Sequence, residues 1–368
     1  MKRALLVAFA CLFALVLLPA AQAESKSVPA DAAYLIEANS GRVLTAQNAD
    51  ARLPMASTTK IMTALLAVES GRLDETVKVD RAAVGTEGSS MYLSEGETMP
   101  LIDLVYGLML TSGNDAAVAI ACALSGDVPH FVERMNTRAK ELGLSNTQFR
   151  NPNGLPDPEH YTSAKDLCTL AAFAMRNETF AEIVRTQYHR TEGSILHTLK
   201  NKNKLLWEYE GGVGVKTGYT KAAGKCLVFA AERGGMLLVG VVLNCPTMWN
   251  TAKSMLDAGF ARYKAKRFLD ESAVFSLPVQ NGVKKALSAA PISGILYPTE
   301  IEGSETFTVE TELVSNLIAP IYAGTQVGTA TLYRNGEPVL SVPITATETV
   351  SEAGFSYFFK KAVLDFVS

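Results

Sequence analysis

The chain has 368 residues, of which 48% are hydrophobic and 19% are charged. These values describe a globular protein with a substantial core, exclude an intrinsically disordered chain, and suggest two or three domains. The net charge of −3 and the scattered Lys and Arg residues argue against a nucleic-acid-binding protein.

The first residues have the three parts of a secretory signal. Lys2 and Arg3 are followed by an apolar run over residues 5–18 and by the small-residue site Ala21-Gln22-Ala23. The apolar run is short for a membrane-spanning anchor, which is the alternative interpretation. We therefore expect an exported protein whose signal peptide covers residues 1–23.

Four cysteines follow the signal, each within an apolar run: Cys122, Cys168, Cys226 and Cys245. Export permits disulfides, but a free cysteine in such a run behaves as a small hydrophobe, and we expect free thiols. No C-x-x-C motif occurs, and the four histidines have no ligand spacing. The sequence therefore predicts neither a zinc site nor any cofactor.

A hairpin opens the first predicted domain, residues 24–266. Two short apolar runs, 32–36 and 42–47, flank Asn39-Ser40-Gly41, which is a turn signal. A helix is predicted directly afterwards. This order favours an α+β fold in which helices pack on an antiparallel sheet, and disfavours a parallel βαβ fold.

The helix begins with Ser57-Thr58-Thr59-Lys60, and Gly71 is a candidate stop. Ser57 occupies the position expected of an N-cap, and Lys60 lies one turn further along the same face. An amine beside a hydroxyl can take its proton and make it a nucleophile. The N–H groups of a helix start also favour an oxyanion. The motif alone is weak, because about one match is expected by chance.

Two further motifs lie between predicted elements. Ser112-Gly113-Asn114 separates two apolar helical runs, 101–110 and 115–124. Lys216-Thr217-Gly218 precedes a β-rich hairpin over residues 226–243, so we place it on a central strand. Further helices are expected over residues 128–143 and 250–264, and residues 161–166 introduce a helix that runs through Met175.

The composition changes near residue 267. A strand over 305–314 and a hairpin on Asn335-Gly336 predict a small all-β domain, residues 267–350. Residues 351–368 have phenylalanines along one helical stripe, which predicts an amphipathic C-terminal helix attached to the membrane surface. The alternative is that this helix packs against the β domain.

Together, S-x-x-K, S-x-N and K-T-G resemble the signature of the serine penicillin-binding enzymes and serine β-lactamases. Each motif occurs once, and the three are in order. The β domain and tail, with segments such as Gly88-Ser89-Ser90-Met91-Tyr92-Leu93 and His160-Tyr161-Thr162-Ser163-Ala164, resemble the D-alanyl-D-alanine carboxypeptidases of low molecular mass.

The resemblance implies roles for eight residues: Ser57, Lys60, Ser112, Asn114, Lys216, Thr217, Gly218 and Tyr219. Ser57 would attack the penultimate D-alanine of a peptidoglycan stem, with neutral Lys60 as its base, and Ser112 would pass a proton to the departing D-alanine. Asn114 would bind the substrate backbone. Lys216 and Thr217 would bind its terminal carboxylate, and Gly218 would leave room beside the strand. The N–H groups of Ser57 and Tyr219 would form an oxyanion hole.

Three alternatives stay open. A class A β-lactamase needs a glutamate that activates water, and the nearest match, Glu141, is followed by Ser145 where an asparagine is expected. A DD-endopeptidase would use the same site on cross-links. A non-catalytic wall-binding protein would use the groove only to hold stems. The resemblance also implies that β-lactam antibiotics acylate Ser57 and that the enzyme limits cross-linking in the cell wall.

Overall fold

The computed structural model of the protein describes residues 27–355 together with Tyr357, Phe359 and Phe366. The predicted signal peptide, residues 1–23, lies outside the described residues. So does most of the predicted C-terminal helix, of which the described part shows Tyr357 donating a hydrogen bond to the Val283 carbonyl (3.1 Å).

Strands of the first domain form one central sheet and two small two-stranded sheets. In chain order the strands are β1 (Ala32–Glu37), β2 (Val43–Gln47), β3 (Thr76–Lys78), β4 (Thr98–Pro100), β5 (Tyr188–Arg190), β6 (Thr198–Lys200), β7 (Gly212–Thr220), β8 (Gly224–Arg233) and β9 (Met236–Leu243). The central sheet has the order β2-β1-β9-β8-β7 and all its pairs are antiparallel. The two small sheets are β3-β4 and β5-β6. This confirms the predicted antiparallel sheet and the two predicted hairpins, which are β1-β2 and β8-β9.

Helices of the first domain cover both faces of this sheet. They are α1 (Lys60–Glu69), α2 (Leu101–Tyr106), α3 (Asn114–Ser125), α4 (Val128–Glu141), α5 (Ala164–Met175), α6 (Glu178–Arg185), α7 (Leu205–Glu208) and α8 (Met248–Arg262). The short α6 and α7 were not predicted. The run 101–110 is helical as expected, but its last turn widens into a π-turn, Gly107–Thr111.

The central strands are buried on both faces, and successive side chains of a strand point alternately into two different cores. On β8, Val228 and Ala230 belong to the larger core, which includes buried residues of α1, α3 and α5. Leu227 and Phe229 belong to the opposite core with residues of α8. Strand β7, which contains the K-T-G motif, pairs only with β8 and lies at the edge of the sheet, beside the start of α1. The prediction of a central strand is therefore wrong, because the buried hairpin that follows the motif forms the middle of the sheet.

The second domain consists of strands. They are β10 (Tyr263–Leu269), β11 (Phe275–Gln280), β12 (Ala286–Pro291), β13 (Ile295–Glu300), β14 (Phe307–Leu313), β15 (Leu317–Ile318), β16 (Gln326–Arg334) and β17 (Glu337–Ala346). Six form a sheet of order β14-β16-β17-β12-β11-β15, and β10 pairs with β13. The predicted all-β character and the hairpin on Asn335-Gly336 are confirmed.

Arg42, from the turn between β1 and β2, joins the two domains. Its buried guanidinium donates two hydrogen bonds to the Glu305 carboxylate (2.7 and 3.0 Å) and one to the Pro298 carbonyl (2.7 Å). It also lies 4.5 Å from the centre of the Tyr263 ring. A bidentate pair with a stacked ring fixes orientation as well as distance. The two domains are therefore held in a defined orientation.

Candidate active site

Ser57 lies in a 3-10 turn, Ala56–Thr59, that leads directly into α1. The predicted N-cap role is wrong: Thr59 occupies the N-cap of α1, and no side chain caps either element. Because the tight turn includes Ser57, its hydroxyl is directed at Lys60 Nζ, 3.1 Å away. The predicted proximity of the hydroxyl and the amine is confirmed.

Lys60 is fully buried, although it begins a helix next to the site. Besides Ser57 Oγ, its Nζ contacts Asn114 Oδ1 (2.7 Å) and the Asn153 carbonyl oxygen (2.5 Å). The orientation of the Asn114 amide is set by its Nδ2, which donates to the carbonyl of Glu87. Lys60 is thereby directed at the nucleophile by two fixed acceptors.

The second lysine of the site projects from the centre of β7. Lys216 Nζ donates hydrogen bonds to Ser112 Oγ and to the Thr217 carbonyl, both at 3.0 Å. Ser112 has a left-handed backbone, with φ 66°, between the π-turn and α3. The three motifs, far apart in sequence, therefore meet in one cluster, as predicted.

Burial and positive neighbours depress the basicity of this cluster. The pKa of Lys60 is held well below its usual value, first by burial and then by the charges of Lys216 and Lys202. The pKa of Lys216 falls to about 7, through burial and the charge of Lys202. Both effects disfavour the charged amine. The neutral form of Lys60, which has a free lone pair, is therefore favoured more strongly than in an ordinary lysine.

Sequence reasoning missed Lys202, which follows β6. Its Nζ lies 3.4 Å from Ser89 Oγ, and burial lowers its pKa. Only the three-dimensional fold brings it to the site, because it belongs to no motif.

The K-T-G strand runs against the backbone of the nucleophile. A Cβ placed on Gly218 would lie 3.1 Å from the Ser57 nitrogen and 3.1 Å from the Met55 carbonyl oxygen. Such contacts are tighter than ordinary packing, so a glycine allows this close approach. Tyr219, the next residue, is 66% exposed. Its backbone follows the strand past the start of the Ser57 turn.

A second part of the site that the motifs do not include is the loop over residues 151–154. Its Asn153 carbonyl accepts from Lys60, and its Pro152 carbonyl accepts from Thr63 Oγ1 (2.7 Å). Gly154 has φ +87°, and its Cβ position lies 2.0 Å from the Ala56 carbonyl oxygen. This loop is therefore packed directly on the nucleophile turn.

His160 ties the same loop to the nucleophile turn. Its Nδ1 accepts from the Arg150 N–H (2.9 Å), so its Nε2–H donates to Thr59 Oγ1 (2.7 Å). Thr59 Oγ1 in turn donates to the Ala56 carbonyl (2.8 Å). Burial lowers the pKa of His160 to about 4. His160 is consequently neutral and structural at physiological pH.

A third loop, residues 87–93, is held by the two residues that begin α3. The Asn114 N–H donates to the Ser89 carbonyl (2.7 Å). The Asp115 carboxylate accepts from Ser90 Oγ (2.6 Å) and from the N–H of Leu93 (3.1 Å). Asn114, which also orients Lys60, and Asp115 therefore hold this loop in place beside the site.

We expect Gly154→Ala to slow acylation of Ser57 by penicillin and to lower the melting temperature. The added methyl would collide with the Ala56 carbonyl and displace the nucleophile turn. Gly143→Ala is the matched control, since Gly143 has φ +71° and nothing within 4 Å of its Cβ position. It should lose about 1 kcal/mol of stability and keep its acylation rate. Equal acylation rates in both variants would contradict the packing described here.

Within the described residues, no three His, Cys, Asp or Glu side chains come together as metal ligands, and the site consists of amines, hydroxyls and an amide. All four described cysteines are free.

The fold and the cluster define a class: a serine enzyme of the penicillin-binding type, with a lysine beside its nucleophile. Residues 19–247 match the family model described as D-alanyl-D-alanine carboxypeptidase, and residues 263–352 match that of the C-terminal domain of penicillin-binding protein 5. The chain belongs to the D-alanyl-D-alanine carboxypeptidase family.

Relatives and solved structures resemble the chain over most of its length. The D-alanyl-D-alanine carboxypeptidase DacF of Bacillus subtilis is 35% identical, over 91% of this chain and 90% of its own. DacC of Escherichia coli is 33% identical, over 95% and 91%. Penicillin-binding protein 5 of Haemophilus influenzae superposes with a TM-score of 0.72 at 31% identity, covering 89% of this chain and 98% of its own.

Proposed function

We propose that this protein removes the terminal D-alanine from peptidoglycan pentapeptide stems through an acyl-enzyme on Ser57. Ser57 Oγ bonds to the carbonyl carbon of the penultimate D-alanine, and its proton passes to Lys60. The amide to the terminal D-alanine breaks, and the departing nitrogen receives a proton through Ser112. Water then hydrolyses the ester and releases the tetrapeptide. β-Lactams acylate the same oxygen.

The environment of Lys60 Nζ is the observation that carries this proposal. A neutral amine has two N–H groups and one lone pair. Asn114 Oδ1 and the Asn153 carbonyl are acceptors only, so together they use both N–H groups. The third contact is the Ser57 hydroxyl at 3.1 Å, which therefore faces the lone pair. This is the geometry that a general base requires.

Lys216 and Ser112 are assigned to the other end of the scissile bond. The hydrogen bond from Lys216 Nζ to Ser112 Oγ (3.0 Å) places a cation beside a hydroxyl that can both accept and donate a proton. In its charged form Lys216 attracts the free carboxylate of the substrate. Thr217, Gly218 and Tyr219 then line the strand along which the substrate lies, with the N–H groups of Ser57 and Tyr219 as the oxyanion hole.

The test is release of free D-alanine from a pentapeptide stem ending in D-Ala-D-Ala, measured beside a cross-linked dimer of stems. Preferential release from the pentapeptide is expected. Preferential cleavage of the dimer would instead identify an endopeptidase. No cleavage of either, with stems still bound, would identify a wall-binding protein.

The β-lactamase alternative has no support at Glu141. This residue ends α4, where its carboxylate accepts a hydrogen bond from Arg138 (2.9 Å) and is more than half exposed. A glutamate that activates the deacylating water must lie within reach of the nucleophile. The acyl-enzyme formed with penicillin should therefore be long-lived.

We further propose that the exported protein is attached to the outer face of the cytoplasmic membrane by its C-terminal segment. Among the described residues no single helix is long and apolar enough to cross a bilayer, and one pair, α3 with α4, reaches that length only with a bend of 86°. The apolar stripe of the tail and its neighbours Lys360 and Lys361 suit an interface with anionic headgroups.

Removing residues 358–368 should move the protein from the membrane fraction to the soluble fraction. The deletion keeps Tyr357 and its hydrogen bond to the Val283 carbonyl, so the melting temperature and penicillin acylation should stay unchanged. Burial of the apolar stripe supplies several kcal/mol of binding at roughly 25 cal/mol per Å². A truncated protein that still sediments with membranes, or that melts at a lower temperature, would count against attachment.

A further inference from the structure

A cavity beside the nucleophile contains charged residues that the reaction described above does not use. Its volume is 480 Å³. Met55, Ala56 and Gly154 form the wall on the side of the nucleophile. The lining also includes Arg52, Asp157, Tyr161 and Thr220.

The direction of β7 indicates which part of the substrate lies beside this cavity, given the proposed function. Lys216 receives the terminal carboxylate, and the reacting carbonyl lies at Tyr219. Each residue of a strand advances about 3.3 Å. The stem residue that precedes the two D-alanines must therefore lie beyond Tyr219, beside Thr220, which lines the cavity.

Arg52 offers a cation to this cavity. Its Nε donates to Asn146 Oδ1 (3.2 Å), and its guanidinium lies 5.1 Å from the centre of the Tyr161 ring. These contacts orient the guanidinium but do not neutralise it. Among the described residues no carboxylate forms an ion pair with Arg52 at 4.0 Å or less.

Asp157 offers an anion to the same cavity. Its Oδ1 accepts from the N–H of Glu159 (2.8 Å), a local turn contact that leaves the negative charge uncompensated. No described Lys, Arg or His forms an ion pair with Asp157 either. The neighbouring pair Arg150–Glu159, by contrast, is joined at 2.7 Å and does not line the cavity. Of these four charged residues, Arg52 and Asp157 have no ion-pair partner among the described residues, and these two line the cavity.

We infer that this cavity is the subsite for the third stem residue, and that it favours a side chain ending in both an ammonium and a carboxylate, as in meso-diaminopimelate. Arg52 binds the carboxylate, Asp157 binds the ammonium, and Tyr161 and Leu155 contact the methylene groups. A lysine side chain offers the ammonium alone and leaves Arg52 without a partner.

The test compares two pentapeptide stems that differ only in the third residue, meso-diaminopimelate or L-lysine. For the wild-type protein kcat/KM should be about tenfold higher with the diaminopimelate stem, the effect of one charge-assisted hydrogen bond. Arg52→Gln should bring the ratio of the two kcat/KM values close to 1. Asp157→Asn should lower kcat/KM for both stems. Acetylating the side-chain ammonium of the L-lysine stem should likewise lower the kcat/KM of the wild-type protein for that stem.

Arg150→Gln and Glu159→Gln are the controls, because they remove charges near the cavity but outside its lining. Both should keep the wild-type ratio. A wild-type ratio near 1, or one that Arg52→Gln leaves unchanged, would overturn the subsite while D-alanine release still supports the proposed function. Absence of release from both stems, with Ser57 still acylated by penicillin, would refute the proposed function itself.

Discussion

Lys60→Met is expected to lower the rate of acylation by penicillin and by D-Ala-D-Ala stems by at least ~10³-fold. Methionine has a similar length but no lone pair able to take the Ser57 proton. Lys60 Nζ lies 3.1 Å from Ser57 Oγ, and no other amine of the described residues forms a hydrogen bond with that oxygen. The serine would remain in place, unactivated.

The measurement is the rate of covalent penicillin uptake, with Lys165→Met as the matched control. Lys165 is an exposed lysine, 3.5 Å from Asp50, and its loss should leave acylation unchanged. The wild-type rate should also fall as the pH falls through the pKa of Lys60, since the protonated amine has no lone pair. That acid limb should be missing in Lys60→Met. A variant that is acylated at the wild-type rate would show that another group is the base.

Lys216→Met is expected to lower kcat/KM for stems with a free terminal carboxylate by ~10²-fold, the usual loss when one partner of a buried charge pair is removed. Stems whose terminal carboxylate is amidated should lose much less. Lys216 is 2% exposed, and the hydrogen bond to Ser112 holds it beside the proposed path of the substrate.

Titration of Lys216 should affect the reaction in the opposite direction to titration of Lys60. Only charged Lys216 attracts a carboxylate, and its pKa in the free enzyme is about 7. The value of kcat/KM should therefore fall as the pH rises through about 7. A bound carboxylate raises that pKa, so the alkaline limb of kcat should lie at higher pH. Equal losses with free and amidated stems would contradict the assignment of Lys216 to the carboxylate.

Much of the fold could be predicted because its elements have strong local signals. The hairpin of β8 and β9 consists of two nearly continuous apolar runs joined by a glycine turn, and α4 has a clear amphipathic period. The four residues of α7 are too few to show a helical period. The eight residues of α6 have an Asn177 cap and a buried face, Phe180, Ala181, Ile183 and Val184, but they make only two turns and were not recognised. The N-cap prediction for Ser57 failed because local propensity does not reveal that the chain tightens into a 3-10 turn at Ala56.

The motif residues were placed in one site by their resemblance to the serine penicillin-binding enzymes, and the structure brings them into contact. The supporting residues could not be predicted. The Asn153 carbonyl acts through the backbone, so no side chain in the sequence marks it. Lys202 and His160 reach the site through loops whose paths depend on tertiary packing. Sequence patterns record side-chain chemistry, whereas these contacts depend on where the loops lie.

The central claim is that Ser57 carries the acyl group, and the mass of the penicillin-treated protein tests it most directly. After incubation with penicillin, the intact protein should gain one penicilloyl mass, and digestion should place that mass on the peptide containing Ser57. The Ser57→Ala variant should gain none, and it should release no D-alanine from a pentapeptide. A penicilloyl group found on another residue, or retained in Ser57→Ala, would contradict the account.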